Sequence, residues 1–181
     1  KENIDRAVER AVGAASAENY DEIYYEGYGP AGVALIVFAM TDNRNRTASD
    51  IRAAFTRGGG NLGETGSVGW MFDNVGQIVV PINGKDPDDV SLIAIDAGAI
   101  DVHPDEEVLE VFTEVQDLHK VQEMLTASGL TVESAQIMMK PKDLVDVSTD
   151  DALKAIRLIE RLDDLDDVQT VYSNLHVTDD V

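Results

Sequence analysis

The chain has 181 residues, 44% of them hydrophobic, and no cysteine, so it can build a packed core but no disulfide, thiolate metal site or cysteine nucleophile. Its 35 acidic residues against 14 basic ones give a formal charge of −21, which repels a phosphate backbone unless the bases are gathered in one place. The longest apolar run, Gly32 to Met40, falls well short of the about 20 residues that a membrane helix needs.

Residues 1–14 open with Ile4, Ala7, Val8 and Ala11 at helical spacing, Asn3 as a cap and Gly13 as a stop. The segment AASAEN then reads as a linker. Tyr20 to Glu26 alternates weakly and predicts a short strand. Gly27, Gly29 and Pro30 force a turn. Val33 to Met40 is an unbroken apolar strand, which implies burial on both faces and a central place in a sheet. Thr41 to Arg46 reads as a polar loop. Thr47 and Asp50 resemble a capping box, Ile51, Ala54 and Phe55 form an inner helix face, and Gly58 ends it. Ser67 to Asp73 predicts a half-buried strand with Val68, Trp70 and Phe72 inward. Asn74 to Gly76 is a turn, and Gln77 to Ile82 is a second apolar strand.

Asn83 to Asp86 marks a boundary. Val90, Ile93, Ala94 and Ala97 give a helix, His103-Pro104 a loop, and Val108 to Thr113 a strand. Leu118, Val121 and Leu125 give another helix, ended by Gly129, and Thr131 to Met138 another strand. The segment KPKD is a second boundary. A last helix starts at Thr149-Asp150 with Ala152, Ala155, Ile156 and Ile159 inward, and Val168 to Val177 is the final strand.

These elements predict the α+β class, with two ferredoxin-like α/β lobes, the second inserted in the first, and an N-terminal remnant helix. The expected division is 1–14 for that helix, 15–82 plus 146–181 for the first lobe, and 83–145 for the inserted one. In the first lobe the two apolar strands would be central. One sheet face would need a cover, supplied by Tyr20 to Glu26, the other lobe, a partner or a second copy of the chain.

Little points to catalysis. His103, His119 and His176 are scattered and lack metal-ligand spacing. The acidic pairs, such as Asp163-Asp164 and Asp166-Asp167, have no apolar walls to raise a pKa. No serine sits in a GxSxG elbow. No catalytic residue, metal or cofactor is therefore expected. One cluster stands out. Arg44, Arg46, Arg52 and Arg57 fall within fourteen residues whose only acid is Asp50, and Gly58, Gly59 and Gly60 follow directly. Glycines beside arginines let backbone N–H groups approach a phosphate chain, although a P-loop would place them before a helix. Asn43, Asn45 and Asn61 add polar contacts. Among the aromatics, Trp70 fits the core pattern, whereas Tyr25 and Tyr28 flank a glycine and are the candidates for base stacking.

The segments YEGYGP, TDNRNRT and GGNLG followed by GSV, with NIDRAVER near the start and DLDDVQTVYSN near the end, closely resemble the YebC family of gene-expression regulators. The resemblance runs along the whole chain, more loosely from 83 to 145. It implies three domains, of which the first, helical and basic, is represented here only by its last helix. It implies no enzymatic step and a nucleic acid partner: DNA for a transcriptional regulator, rRNA or tRNA for members that act in translation on the ribosome. It also implies a cytoplasmic place, or the mitochondrial matrix in a eukaryote, and no membrane. Three departures stand out. Ala31 replaces a common Gly, Phe38 and Ala39 occupy a usually acidic stretch, and Gly58 replaces a bulkier polar residue.

Overall fold

The computed structural model describes residues 20–177. In chain order the elements are β1 (Asp21–Tyr28), β2 (Ala34–Thr41), α1 (Arg44–Arg57), β3 (Asn61–Leu62), β4 (Phe72–Pro81), α2 (Pro87–Asp96), β5 (Asp101–Pro104), β6 (Val108–Thr113), α3 (Leu118–Ala127), β7 (Ser134–Pro141), α4 (Thr149–Asp163) and β8 (Val168–Ser173). The class is α+β, with two four-stranded antiparallel sheets and four α-helices among the described residues. One compact unit holds 20–72 and 141–177, and the other is Asp73–Lys140, set within it in sequence. The expected remnant helix, 1–14, lies outside the described residues.

In the first unit the sheet order is β3-β1-β2-β8. β1 and β2 form a hairpin in full register from Asp21↔Thr41 to Tyr28↔Ala34. Its turn needs positive φ at Ala31 (59°) and Gly32 (78°). The unbroken apolar run is the central strand β2, as its composition predicts. Leu35, Val37 and Ala39 face the helices, while Ala34 and Ile36, also buried, face the other way. α1 and α4 cover the first face with Ile51, Ala54 and Phe55 from one and Ala152, Ala155, Leu158 and Leu162 from the other. The α4 set recurs at helical spacing, and the Ser148 side chain caps that helix by accepting from Asp151 N–H.

In the second unit the chain order is strand, helix, strand, strand, helix, strand, and the sheet order is β5-β6-β4-β7. This is the split βαβ order with its first and third strands central. Its core joins Ile78, Val80, Leu109 and Val111 to Val90 and Ala94 of α2 and Val121 and Leu125 of α3. On the opposite sheet face His103 Nε2 lies 2.9 Å from Asp101 Oδ2, and Lys140 sits 4.8 Å above the Phe112 ring.

Three expectations change. Gln77 to Ile82 belongs to the second sheet, because β4 pairs with β6 from Gly76↔Thr113 to Pro81↔Val108. Apolar periodicity announces burial but not the strand's partner. The compact units divide at 72/73, ahead of Asn83 to Asp86, and at 140/141, within the KPKD segment. The place in the first sheet expected for Gln77 to Ile82 is taken by β1, which pairs along its whole length with β2. Ser67 to Asp73 is mostly not a strand, since Gly69–Met71 makes a 3-10 turn before β4 begins. The remaining shifts are local: His103-Pro104 ends an edge strand, and β8 stops at Ser173.

Candidate nucleic-acid interface

α1 begins three residues before the expected capping box. The Asn43 side chain accepts from Arg46 N–H at 3.1 Å, and asparagine is a strong N-cap. Thr47, instead of capping, is buried one turn in. Its hydroxyl donates to Asp167 Oδ2 at 2.6 Å and lies 2.7 Å from Thr41 Oγ1. Arg46 closes the same network. Its Nη2 donates to both Asp167 oxygens at 3.1 Å and to Asp42 Oδ1 at 3.0 Å. The bond to Asp167, then that to Asp42, hold its guanidinium above the ordinary arginine range. Arg44 Nε pairs with Asp21 Oδ2 at 3.0 Å. Beside these arginines opens a cleft of about 560 Å³ lined by Tyr20, Asp42, Arg46, Asp50, Asp164, Leu165, Asp166 and Asp167. Aspartates thus dominate the wall, and at this end of α1 the two arginines are already matched by acids.

Arg52 and Arg57 differ. Both are exposed, and neither has an ion pair among the described residues. Five residues apart on a helix, they point about 140° away from each other around its axis. Asn45, Ser49 and Thr56 are exposed on the same helix. A fourteen-residue helix is about 20 Å long, so Asn43 to Arg46 and Gly58 to Asn61 stand at opposite ends of α1.

Folding accounts for the three glycines. Gly58 N–H bonds Ala54 O at 3.0 Å, Gly59 N–H bonds Thr56 O at 3.3 Å and Gly60 N–H bonds Phe55 O at 2.8 Å. These donors are engaged in the turn that ends the helix. A Cβ on Gly58 would come within 2.7 Å of Leu158 Cδ1, Gly59 has φ 81°, and a Cβ on Gly60 would collide with the Tyr28 carbonyl oxygen. Asn61 is exposed and pairs through its backbone with Tyr28.

The aromatic residues sort differently from their sequence pattern. Tyr25 is opposite Val37 and packs against the core under the helices, and burial is the main cause that pushes its phenol pKa up. Tyr28 is half-buried, with its hydroxyl donating to Ser67 O at 3.3 Å. Trp70, expected inward, is 65% exposed, and its Nε1–H donates to Ser67 O at 3.1 Å. Glu26 explains the reversal. This carboxylate, 8% exposed, accepts from the N–H groups of Gly66 at 2.8 Å, Val68 at 3.0 Å and Gly69 at 2.5 Å. It folds 63–71 into a loop where strand alternation no longer applies. Nothing in the strand pattern singled out Glu26, since Asp21 and Glu22 are acids of the same strand. On the face of the first sheet away from the helices, Tyr24 and Phe38 lie with ring centroids 4.8 Å apart, and Tyr24 remains 49% exposed.

Among the described residues no group of three or more His, Cys, Asp or Glu is arranged to hold a metal ion, and no helix is long and apolar enough to cross a membrane.

A family model described as TACO1/YebC second and third domain matches residues 20–175. The chain is 53% identical over 184 residues to a protein of Roseiflexus castenholzii named probable transcriptional regulatory protein, covering 99% of this chain and 72% of that one. A protein of the same name from Chloroflexus aggregans is 51% identical over 179 residues, with 98% of this chain and 71% of the relative covered. The crystal structure of a conserved hypothetical protein from Aquifex aeolicus superposes with a TM-score of 0.84 at 42% identity, covering 98% of this chain and 74% of that one. With a family match across nearly all the described residues and relatives of this identity, the chain belongs to the TACO1/YebC family.

Proposed function

We propose that this protein is a non-enzymatic regulator of gene expression that binds DNA through the exposed face of α1. The observation that carries this reading is the state of Arg52 and Arg57: exposed cations without an acidic partner in a chain of net charge −21. Asn45, Ser49, Thr56 and Asn61 supply neutral donors and acceptors near them. Arg44, Arg46 and Asn43 set the start of the helix, and Gly58 to Gly60 its end. Their part is to hold the arginine-bearing face in place. The naming of bacterial relatives as transcriptional regulatory proteins supports the reading and a cytoplasmic place of action.

The test is binding of a labelled DNA duplex, a single-stranded RNA and ribosomes across a salt series. Each phosphate contact on duplex DNA contributes about 0.9 to the slope of log affinity against log salt. Arg52→Ala with Arg57→Ala is expected to flatten that slope by about two units. A double variant with the wild-type slope removes this face from the site. Stronger binding to ribosomes or RNA than to the duplex moves the function from transcription to translation.

A second reading, a protein-interaction module, is favoured by the Tyr24–Phe38 pair on the half-exposed face of the first sheet. Light scattering over a concentration series tests its self-associating form, which a monomer at all concentrations removes.

A further inference from the structure

The loop 63–71 presents a side chain that the folding of the first unit does not use. Trp70 lies 65% exposed, yet it is held, with its indole N–H on the Ser67 carbonyl and its neighbours Val68 and Gly69 on the Glu26 carboxylate. The loop is anchored a second time where Lys142 N–H donates to Met71 O at 2.9 Å. A large apolar ring held open to solvent this way is ordered before any ligand arrives, which lowers the entropic cost of binding.

Beside the indole is a mostly apolar pocket of about 210 Å³, lined by Trp70, Met71, Lys142, Asp143, Val145 and Asn174. That volume lies under the about 300–1,000 Å³ of sites for larger small molecules and suits a single planar ring. Asn174 gives the pocket its polarity. The residue is 4% exposed, and its Oδ1 accepts from Ala34 N–H at 2.9 Å. This bond fixes which end of the carboxamide is which. The Nδ2 donor has no partner among the described residues. Asn174 lines the pocket, so this donor is open to an acceptor on a ligand seated there.

We propose that Trp70 and Asn174 form a subsite for one unpaired nucleobase, which stacks on the indole and places a ring carbonyl oxygen on Asn174 Nδ2. This rests on the nucleic-acid reading above and names the form it takes at a second place on the first unit. A base inside a duplex has both faces covered, so the subsite selects single-stranded segments. Thymine, uracil, cytosine and guanine carry a ring carbonyl and adenine does not, so the carbonyl bases are favoured. Stacking engages a π-face and no phosphate, which makes this contribution insensitive to salt, in contrast to that of Arg52 and Arg57.

Trp70 is the only tryptophan in the chain, so its emission reports this site alone. Emission is followed while oligo(dT), oligo(U), oligo(dA) and a DNA duplex are added. Anisotropy of the same labelled oligonucleotides measures binding independently. The expected result is quenching by oligo(dT) and oligo(U), less by oligo(dA) and none by the duplex. Trp70→Ala is expected to weaken oligo(dT) binding by about 5- to 100-fold with an unchanged salt slope. Trp70→Phe restores part of the loss. Asn174→Asp keeps the acceptor for Ala34 and removes the donor, so it abolishes the preference over oligo(dA). Circular dichroism of each variant checks that it folds. If anisotropy shows binding while emission stays constant and Trp70→Ala binds like wild type, the subsite is wrong and the nucleic-acid reading stands. If no oligonucleotide or duplex binds by anisotropy, both fall. An emission shift that follows protein concentration alone assigns the indole to contact between copies and overturns the subsite.

Discussion

Arg46 and Asp167 meet across 121 residues of sequence, with Nη2 donating to both carboxylate oxygens at 3.1 Å. The same carboxylate takes the Thr47 hydroxyl, so a residue next to the final strand fixes the first turn of α1. An arginine engaged in this way is part of the scaffold. Arg46→Ala is expected to lower the melting temperature, whereas Arg52→Ala and Arg57→Ala leave it within a degree or so of wild type. Asp167→Ala removes the shared acceptor from a buried position and is expected to cost about 1–3 kcal/mol in denaturant unfolding.

Ala31 holds φ 59°, a conformation in which its Cβ is strained and glycine is not. Ala31→Gly is expected to stabilise the protein by about 0.5–1 kcal/mol, since the relief of strain exceeds the added freedom of the unfolded chain. Urea unfolding measures it, and a destabilised variant would show the turn to be relaxed.

Gly60 lies against the Tyr28 carbonyl, where a methyl group has no room. Gly60→Ala is expected to destabilise by about 1–3 kcal/mol, and Gly32→Ala, with open space around its Cα but φ 78°, by about 1 kcal/mol. A Gly60→Ala variant as stable as wild type would show that the backbone at Tyr28 gives way to the added methyl.

Glu26→Gln replaces an oxygen that receives backbone N–H groups with an NH₂ that cannot, so at least one of Gly66, Val68 and Gly69 loses its acceptor. The expected cost is about 1–3 kcal/mol, together with faster depolarisation of Trp70 emission as the loop loosens. Unchanged depolarisation would mean that the Ser67 and Met71 bonds suffice to hold the indole.

Asp101 is held below the usual carboxylate range, chiefly by its hydrogen bond with His103, with further help from Val102 N–H and Lys140. A carboxyl depressed on folding contributes stability above its unfolded pKa of about 3.9, and that contribution is lost as the pH falls through the depressed value. Asp101→Asn is therefore expected to be less stable than wild type near neutrality, by no more than about 1 kcal/mol at this exposed site. The gap closes as the pH is taken below about 4. Melting curves at a series of pH values test the convergence.

What the amino-acid pattern conveyed and what it hid follow from the range of each interaction. The run from Val33 to Met40 announced a central strand because burial on both faces demands unbroken apolarity. The apolar face of α1 was legible from its helical spacing. That of α4 was legible only in Ala152 and Ala155, since Leu158 and Leu162 take the buried positions and the expected Ile156 and Ile159 flank them half-buried. The partner of Gln77 to Ile82 was not, because its ladder is made with residues about 30 positions away and either sheet would satisfy its apolar side chains. Trp70 looked inward because alternation with Val68 and Phe72 is what a strand shows. The carboxylate that bends those residues into a loop sits about 40 positions earlier. The arginines appeared as one basic cluster because spacing records density, while the acids that engage Arg44 and Arg46 come from β1, the start of α1 and the approach to β8.

The bond from Lys142 N–H to Met71 O has a use in protein engineering. It brings the two cut ends of the first unit within a single peptide's reach of each other, on either side of Asp73–Lys140. A gene that joins 72 to 141 through a short glycine linker would keep every strand pairing of the sheet β3-β1-β2-β8. The second unit is thus a cassette, and the surfaces of Arg52, Arg57 and Trp70 all remain on the part that is left.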